Sequence, residues 1–416
     1  MRNLIISTGY YLLDEYIKVD YKIDCLIIGN KKDFPKDIQT NSRIFFCNSF
    51  QTTDIANTIQ QLEKKYDTVI TLDDKLVITL EELSKLIGIH IIQNQGILGR
   101  DKMVLKNLLQ KNGIACPEAR EFSTLQEIDS VKEDLHYPVI IKPTNSYGSN
   151  GVHKINNKED LVFYSRNIFK MNIIQEKVYS DYLGKLMVEE YIDGPEYAVD
   201  IIWDEYKPVL RCISSRLHKK GDDKFPDYVY FVDPNLSCDE KDKIFALAES
   251  VGKILKIKNG ASHTEIRNRY NDYYVLENAI RPGGGGCMYQ LHKYATNVNY
   301  FEIFIKTMMQ LKLHTEKQIY APNLYYFFFS YANDKSGIVE NVIFDRALID
   351  KNTKIISVDF LISKGTRILP SELAMRYTIF IYGIVSANTI EEFENAIEKV
   401  DRACMIEMED ENEKKF

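Results

Sequence analysis

The stretch HTEIRNRYNDYYVLENAIRPGGGG, residues 263–286, constrains the fold more than any other part of the sequence. Two short apolar runs, each with one glutamate (Glu265 and Glu277), flank a polar turn. This pattern predicts a hairpin in which the two carboxylates face each other. Such acids repel each other unless positive charge lies between them, and Mg²⁺ bridging phosphate oxygens would supply it. The competing interpretation is a surface hairpin with two solvated glutamates.

Composition narrows the class of protein. A length of 416 residues predicts roughly two to four domains. The net charge of -7 argues against a protein that coats nucleic acid or an anionic membrane. The seven cysteines are scattered without a CxxC pair, which argues against a disulfide framework or a zinc knuckle and for a reducing, cytoplasmic location. No apolar run approaches the roughly 20 residues of a membrane span, so we expect no membrane partner.

The first hundred residues alternate short buried-strand patterns with helical ones. Strands are predicted near residues 3–8, 25–29, 43–47 and 67–72, and helices near 54–65 and 81–86. This alternation is typical of a parallel α/β unit, and the N-terminal apolar run is expected to be its first strand rather than a signal peptide. A GxGxxG dinucleotide fingerprint is absent.

Two lysines and a glycine-bearing loop follow. Lys102 stands at the start of a predicted amphipathic helix, and Lys142 near the end of a predicted strand. The loop at residues 145–151 lets backbone N–H groups approach phosphate oxygens, and a lysine beside it supplies a point charge. The sequence GxxxxGK[ST] of a P-loop is not present. An ordinary linker helix and a plain hairpin remain the alternatives.

A second acidic hairpin is predicted around LMVEEYIDGPEYAVDIIW. Glu189 and Glu196 lie on either side of its Asp-Gly-Pro turn. A carboxylate accepts enough hydrogen bonds to hold ribose hydroxyls or to interact with an exocyclic amine. The alternative is a surface hairpin whose acidic edges prevent aggregation. Residues 204–237 are predicted to be a mobile loop, and within it Asp222, Asp223 and Asp227 are candidates for recognising a basic side chain.

The order of these motifs resembles the ATP-grasp superfamily, and within it the carboxylate–amine ligases known as L-amino acid ligases, which make dipeptides. The resemblance rests on Asp101-Lys102, Ile141-Lys142-Pro143, the loop from Ser146 to Gly151, the segment from Glu189 to Glu196, and Glu265, Glu277 and Arg281. It runs from the first strand into the C-terminal region, and its five motifs in order are more specific than any single one.

The resemblance implies an α/β and α+β multidomain chain with the ATP-grasp fold. The expected divisions are an N-terminal parallel α/β domain (1–98), a linker helix and first ATP-grasp subdomain with the phosphate loop (99–187), a second ATP-grasp subdomain with the nucleotide, metal and substrate sites (188–316), and a C-terminal α+β cap (317–416).

The resemblance also assigns roles. The residues expected to bind ATP are Lys102, Lys142, Ser146, Ser149, Gly151, Glu189, Tyr191, Ile192 and Glu196; Glu189 would lie near the adenine amine and Glu196 would hold the ribose. Glu265 and Glu277 would bind Mg²⁺, for which Mn²⁺ is a possible substitute. Arg281, Gly283, Gly284 and His218 would contact substrate, with Arg281 and Lys142 acting in catalysis.

One position departs from the family pattern. Many ATP-grasp enzymes have an asparagine two residues after the second metal-binding glutamate, where this chain has Ala279. Asn278 is one residue early, and strand alternation points it to the other face. Amino acid ligase relatives often lack that asparagine as well.

The implied reaction phosphorylates one carboxylate with ATP, and the amine of a second amino acid then displaces phosphate. A ligase that joins an unusual acid to an amine, and a nucleotide-binding module without chemistry, remain alternatives. A biotin-dependent carboxylase is less favoured, because no Met-Lys carrier hairpin is evident. His218 and His263 are candidate general bases. The expected partners are small amino acids and, from the family, a second copy of the chain.

Overall fold

The structure is a computed structural model. It describes residues 2–91, 96–146, 148–176, 184–218, 225, 228–311, 322, 324–333, 335–351, 353–369 and 378–409.

The N-terminal region forms the predicted parallel sheet. Five strands run in the order β3-β2-β1-β4-β5: Asn3–Ser7 (β1), Ile23–Ile28 (β2), Ile44–Cys47 (β3), Thr68–Thr71 (β4) and His90–Ile91 (β5). The intervening helices are Leu13–Ile17 (α1), Lys36–Thr40 (α2), Thr52–Gln61 (α3) and Val77–Ile87 (α4). All residues of β1 and β2 are buried, which is typical of a parallel sheet covered on both faces.

Two short helices lead out of this sheet. They are Gly96–Arg100 (α5) and Lys102–Lys111 (α6). The carboxylate of Asp101 caps α6 by accepting hydrogen bonds from the backbone of Met103 and Val104. This cap fixes where the helix starts and therefore places Lys102 in its first turn.

A four-stranded antiparallel sheet follows, in the order β6-β9-β7-β8. Its strands are Ala119–Phe122 (β6), Val139–Pro143 (β7), His153–Ile155 (β8) and Leu186–Glu190 (β9), and helices Leu125–Val131 (α7) and Lys158–Glu176 (α8) accompany it. The predicted loop at 145–151 joins β7 to β8. The predicted domain boundary at 187/188 falls inside β9, so it cuts a continuous strand.

The largest sheet has eight strands, in the order β14-β13-β10-β11-β12-β15-β19-β17. They are Glu196–Asp204 (β10), Lys207–Leu217 (β11), Val229–Val232 (β12), Gly260–Arg269 (β13), Asp272–Ala279 (β14), Tyr325–Asn333 (β15), Lys354–Phe360 (β17) and Thr378–Ala387 (β19). Helices Cys238–Ile254 (α9), Cys287–Thr296 (α10) and Tyr300–Met308 (α11) lie along this part of the chain.

The C-terminal region is joined to the central sheet. Its strands β15, β17 and β19 extend the same sheet that holds the predicted hairpin. Strands Gly337–Phe344 (β16), Arg367–Ile368 (β18) and Cys404–Met408 (β20) form a small second sheet, and Ile390–Ala403 (α12) packs there. The boundary at 316/317 therefore does not separate two sheets, because β12 pairs with β15 across it.

The polar sequence of residues 204–237 predicted one mobile loop, and this prediction was wrong. Strands β11 and β12 lie within them and are central in the eight-stranded sheet. Residues 212–216 of β11 are all buried, which is typical of a central strand, and this burial outweighs the polar flanks of the segment. Asp222, Asp223 and Asp227 lie outside the described residues.

Several smaller features complete the fold. Ser237 and Glu240 form a reciprocal capping box at α9, whereas Thr389 caps α12 without a return bond from Glu392. All seven cysteines belong to the described residues, and each is a free thiol. No described helix combines the length and apolar character that crossing a bilayer requires.

The protonation of one buried histidine makes the stability of the fold depend on pH. His292 on α10 is 0% exposed, and its Nε2 lies 2.9 Å from the hydroxyl of Ser214. Burial lowers the pKa of His292 from 6.5 to about 4. Because the unfolded chain holds the proton more tightly, the contribution of neutral His292 is complete above pH 6.5 and is lost as the pH falls toward 4.

We therefore expect the free energy of unfolding to fall between pH 7 and pH 5, and to fall by about 2 kcal/mol less in His292→Gln. Urea unfolding of both proteins at the two pH values measures this difference. His136→Gln, at an exposed position, controls for loss of a histidine. An equal drop in wild type and His292→Gln would contradict the assignment.

Candidate active site

One cavity of 380 Å³ lies where the three larger sheets meet. Tyr11 and Asp74 reach it from the N-terminal region, Lys142 and Glu189 reach it from the four-stranded sheet, and strands β10 to β15 and β19 of the eight-stranded sheet contribute further lining residues. Its location between two antiparallel sheets is suited to enclosing an elongated ligand.

The two glutamates of the predicted hairpin face each other. Glu265 on β13 pairs directly with Glu277 on β14, and both line the cavity. The ammonium group of Lys102, from the start of α6, lies 3.3 Å from Glu277. The structure therefore brings these two carboxylates, Lys102 and Lys142 to one cavity, and their roles there remain a prediction.

Burial and neighbouring charges change the pKa values of two groups at the hairpin, Glu265 and Lys102. Burial and the neighbouring Glu277 raise the pKa of Glu265, while Arg216, whose Nη1 lies 3.9 Å from Glu265, partly opposes them. Burial also lowers the pKa of Lys102, despite the attraction of Glu277. A cation placed between Glu265 and Glu277 would relieve their repulsion.

Lys142 lies in a buried ion triad. Its ammonium group is 2.5 Å from one oxygen of Glu189, and that of Lys106 is 2.9 Å from the other. Lys106 and Glu189 are 1% and 4% exposed. Burial disfavours ionisation of Glu189, but the two lysines outweigh it and hold its pKa below the ordinary value. The predicted role of Glu189 near an adenine amine stays a prediction, and its carboxylate is already bound to two ammonium groups.

Glu196 is surrounded by cations as well. It accepts hydrogen bonds from Arg216 at 2.8 Å and Arg267 at 2.8 Å, and lies 2.9 Å from Nε2 of His218. These neighbours overcome burial and hold the pKa of Glu196 well below its ordinary value. A carboxylate offers about four lone pairs. The geometry therefore leaves room for about one more donor, such as a single ribose hydroxyl, rather than two.

The loop after β7 is tied to the lysine of α6. The backbone carbonyl of Ser146 accepts hydrogen bonds from Lys102 at 2.6 Å and Arg100 at 3.1 Å, while the Ser146 hydroxyl is buried without a partner among the described residues. Gly148 and Ser149 have positive φ and line the cavity, whereas Gly151 is buried behind it. Tyr147 lies outside the described residues.

Arg281 is held by a residue from the N-terminal region. Its Nε donates to Asp74 at 2.8 Å, its Nη2 donates to the same oxygen, and its Nη1 donates to the Pro282 carbonyl. Guanidinium has five N–H donors, so two remain for a substrate carboxylate. Burial opposes the charge of Asp74, but Arg281 lowers the pKa of this carboxyl.

The prediction for Gly283 needs correction. Its N–H donates to Asp200 at 2.8 Å and is buried, so it is not available to a substrate. A Cβ there would lie 2.5 Å from Nδ1 of His263, which explains the glycine. Asp200 also lies 2.9 Å from Nδ1 of His263 and raises its pKa against the effect of burial. Gly284 does line the cavity.

Of the two remaining predicted residues, Ile192 lines the cavity, and its carbonyl accepts a hydrogen bond from Arg267 at 2.8 Å. Tyr191 is not among the lining residues, and its ring contacts the ammonium group of Lys154 and the guanidinium group of Arg267. Ala279 faces the cavity, while Asn278 donates to Thr264 on the opposite face, as strand alternation predicted.

The donor set fits a magnesium nucleotide. The part of the chain that the structure describes contains no group of three or more His, Cys, Asp or Glu side chains arranged to hold a metal ion. Two carboxylates without a third are what Mg²⁺ uses when phosphates complete its coordination. The lysines and the unpartnered Ser146 hydroxyl offer donors to those phosphates.

Sequence reasoning missed several residues of this site. Lys106 is four residues after Lys102 on α6, so helical spacing could have placed them together. Arg267 is two residues after Glu265, and strand alternation puts them on one face. Asp74 gave no signal, because it lies 207 residues from its partner Arg281.

Comparison with known proteins gives the class. Residues 135–290 match the family described as the ATP-grasp domain, so this chain contains an ATP-grasp domain and has the ATP-grasp fold. The chain is similar over 99% of its length to the structure of L-amino acid ligase from Bacillus licheniformis, which it covers to 99%, with 20% identity and a TM-score of 0.79.

The chain is also similar to enzymes that are not named as amino acid ligases. The structure of N5-carboxyaminoimidazole ribonucleotide synthetase from Thermotoga maritima matches with 18% identity, 98% and 100% coverage and a TM-score of 0.70. The large chain of carbamoyl phosphate synthase from Clostridium botulinum is 22% identical over 75% of this chain, which spans only 29% of that protein. At these identities, the structural likeness establishes the fold.

The buried triad yields a stability test. Glu189→Gln should lower the free energy of unfolding by about 3–5 kcal/mol, because two buried ammonium groups lose their acid. Lys106→Met should cost less, since Lys142 still neutralises Glu189. Urea unfolding midpoints measure both. The control is Glu249→Gln, which breaks a half-exposed ion pair with Arg211 and should cost at most about 1 kcal/mol. A triad variant as mild as this control would refute the expected dependence.

Proposed function

We propose that this protein is an ATP-dependent carboxylate–amine ligase. It activates the carboxylate of one amino acid as an acyl phosphate and joins it to the amine of a second, with release of ADP and phosphate. The observation that supports this proposal best is the meeting of Glu265, Glu277, Lys102 and Lys142 in one cavity beside Arg281.

The charge of each residue sets which part of the substrates it would contact. Lys102 and Lys142 face the phosphates and neutralise charge during phosphoryl transfer, which depends mainly on positioning and electrostatics. Glu265 and Glu277 would hold Mg²⁺, which would offset the negative charge of the phosphate oxygens that repels the attacking carboxylate. Arg281, pre-oriented by Asp74, holds the substrate carboxylate with its two remaining N–H groups.

The two chemical steps are balanced. A carboxylate oxygen attacks the terminal phosphorus of ATP, and the bond to ADP breaks. The neutral amine of the second substrate then attacks the acyl carbon, phosphate leaves, and the amine nitrogen loses a proton. Because acyl phosphates hydrolyse in water, the enclosed position of the cavity favours transfer to the amine.

The peptide-forming version of this proposal is supported by the match to L-amino acid ligase over nearly all of both chains. The alternative is a ligase that uses another acid, and it is supported by the comparable likeness to the carboxyaminoimidazole ribonucleotide synthetase. Both share the site chemistry and differ in the substrate that Arg281 would hold.

The assay combines the protein, ATP, Mg²⁺ and pairs of the twenty amino acids. We expect ADP and phosphate in equal amounts, only when two amino acids are present, together with a dipeptide detected by mass spectrometry. Release of AMP and pyrophosphate would contradict the acyl-phosphate mechanism. ATP binding without product from any pair would favour the ligase of another acid.

Arg281→Lys tests the substrate contact. Lysine cannot reproduce the planar fork that binds both Asp74 and a carboxylate. We expect kcat/KM to fall roughly 100-fold, by analogy with loss of one charge-assisted donor. Arg211→Lys, at a half-exposed pair on the surface, is the matched control. Steady-state kinetics at saturating ATP measures both, and equal activity of Arg281→Lys and wild type would refute the role.

A further inference from the structure

The floor of the cavity changes chemistry along one face of the eight-stranded sheet. Directly paired residues on neighbouring strands share a face. Pairing connects one row across six strands: Arg267, Glu196, Arg216, Tyr230, Phe328 and Ile384. The first five line the cavity, and Ile384 is buried beyond them. The row is charged on β13, β10 and β11 and apolar on β12, β15 and β19. The change occurs between Arg216 and Tyr230, where the guanidinium group lies 5.3 Å from the ring centroid.

The apolar half of the cavity is walled by aromatic rings from separate parts of the chain. Tyr11 comes from the N-terminal region, and Tyr382 from β19; their ring centroids are 4.2 Å apart. Phe328 on β15 stacks on Tyr382 at 5.7 Å. Met288 on α10 closes the same side. These ring–ring contacts fix the aromatic side chains in place, so they form a preorganised apolar surface.

This half contains little that would bind a nucleotide phosphate. The described lining residues beyond position 300 are Phe328, Ser330, Leu361, Ile379 and Tyr382, and none of them carries a charge. None of the described acids and lysines that line the cavity lies on β15 or β19; they are Asp74, Lys102, Lys142, Glu189, Glu190, Glu196, Glu265 and Glu277. A ligand group placed against β15 and β19 therefore loses water and gains apolar contact.

We propose that the aromatic half is the side-chain subsite for the amino acid whose carboxylate is activated, and that it selects a large, uncharged side chain such as that of phenylalanine or leucine. This inference rests on the proposed function. Arg281 is positioned for the carboxylate, and the chain runs from it through the glycine-rich turn to Met288, at the aromatic wall. The acyl donor then spans from Arg281 to Phe328.

Two physical effects set the selectivity. A large apolar side chain fills the space against the rings, whereas alanine leaves it unfilled. A carboxylate or ammonium side chain would be desolvated where the described lining offers no opposite charge. We therefore expect kcat/KM for phenylalanine or leucine to exceed that for alanine about 10- to 100-fold, with lysine and glutamate at or below alanine.

The test varies only the acyl donor. ADP release is measured with alanine, leucine, phenylalanine, lysine and glutamate against a fixed amine acceptor. Calorimetric binding of the same five amino acids to the protein loaded with ADP and Mg²⁺ gives a readout that does not need turnover. Equal values for phenylalanine and alanine, or preference for lysine or glutamate, overturn the inference.

Matched variants locate the effect. Phe328→Leu should reduce the preference for phenylalanine over alanine at least 5-fold. The control is Phe329→Leu, its neighbour on β15, which is similarly buried but packs in the core on the opposite face of the sheet. It should leave the preference unchanged. The same loss of preference in both variants would overturn the assignment, since it would reflect a general loosening of the strand.

The two proposals fail in different ways. If no amino acid causes ADP release but phenylalanine still binds more tightly than alanine, and Phe328→Leu removes that difference, the subsite stands and the proposed reaction fails. If ADP release depends on amino acids without regard to side-chain size or charge, the ligase proposal stands and the subsite fails.

Discussion

Glu265 and Glu277 face each other in the cavity, and their mutual repulsion requires positive charge from neighbouring elements. Their strands place them directly opposite each other, where like charges destabilise a sheet. Positive charge has to come from other elements. Lys102 supplies it from the first turn of α6, and Arg216 supplies it from β11. The linker helix and the central strands are therefore fixed relative to the hairpin by electrostatics as well as by apolar packing.

The same pattern repeats at the other acids of the cavity. Glu189 lies between Lys106 and Lys142, and Glu196 lies among two arginines and His218. Each acid is thereby held in one orientation before any ligand arrives. Removing a partner would leave a buried charge without compensation, which is much more costly than losing an exposed pair. A ligand of alternating charge, such as a magnesium nucleotide, fits this arrangement.

The continuity of the eight-stranded sheet joins the two halves of the site. The C-terminal strands add to the sheet of the ATP-grasp domain, so one surface carries the charged residues and, further along, the aromatic ones. A separate cap could move relative to the nucleotide site. A shared ladder of backbone hydrogen bonds instead fixes the distance between Arg216 and Phe328, and with it the size of the ligand that fits.

Local elements, and residues with strong local signals, could be predicted from the amino-acid sequence alone. The turn between two β-prone runs was enough to predict that Glu265 and Glu277 face each other, because a hairpin pairs residues close in sequence. The amphipathic pattern likewise predicted α6, and the alternation of strand and helix patterns predicted the parallel N-terminal strands. Three features became visible only in the folded chain. Strands β15, β17 and β19 extend the central sheet, the N–H of Gly283 donates to Asp200, and Asp74 orients Arg281. These contacts join residues far apart in the chain, and no local pattern of side chains records which distant strand or helix will pack beside them.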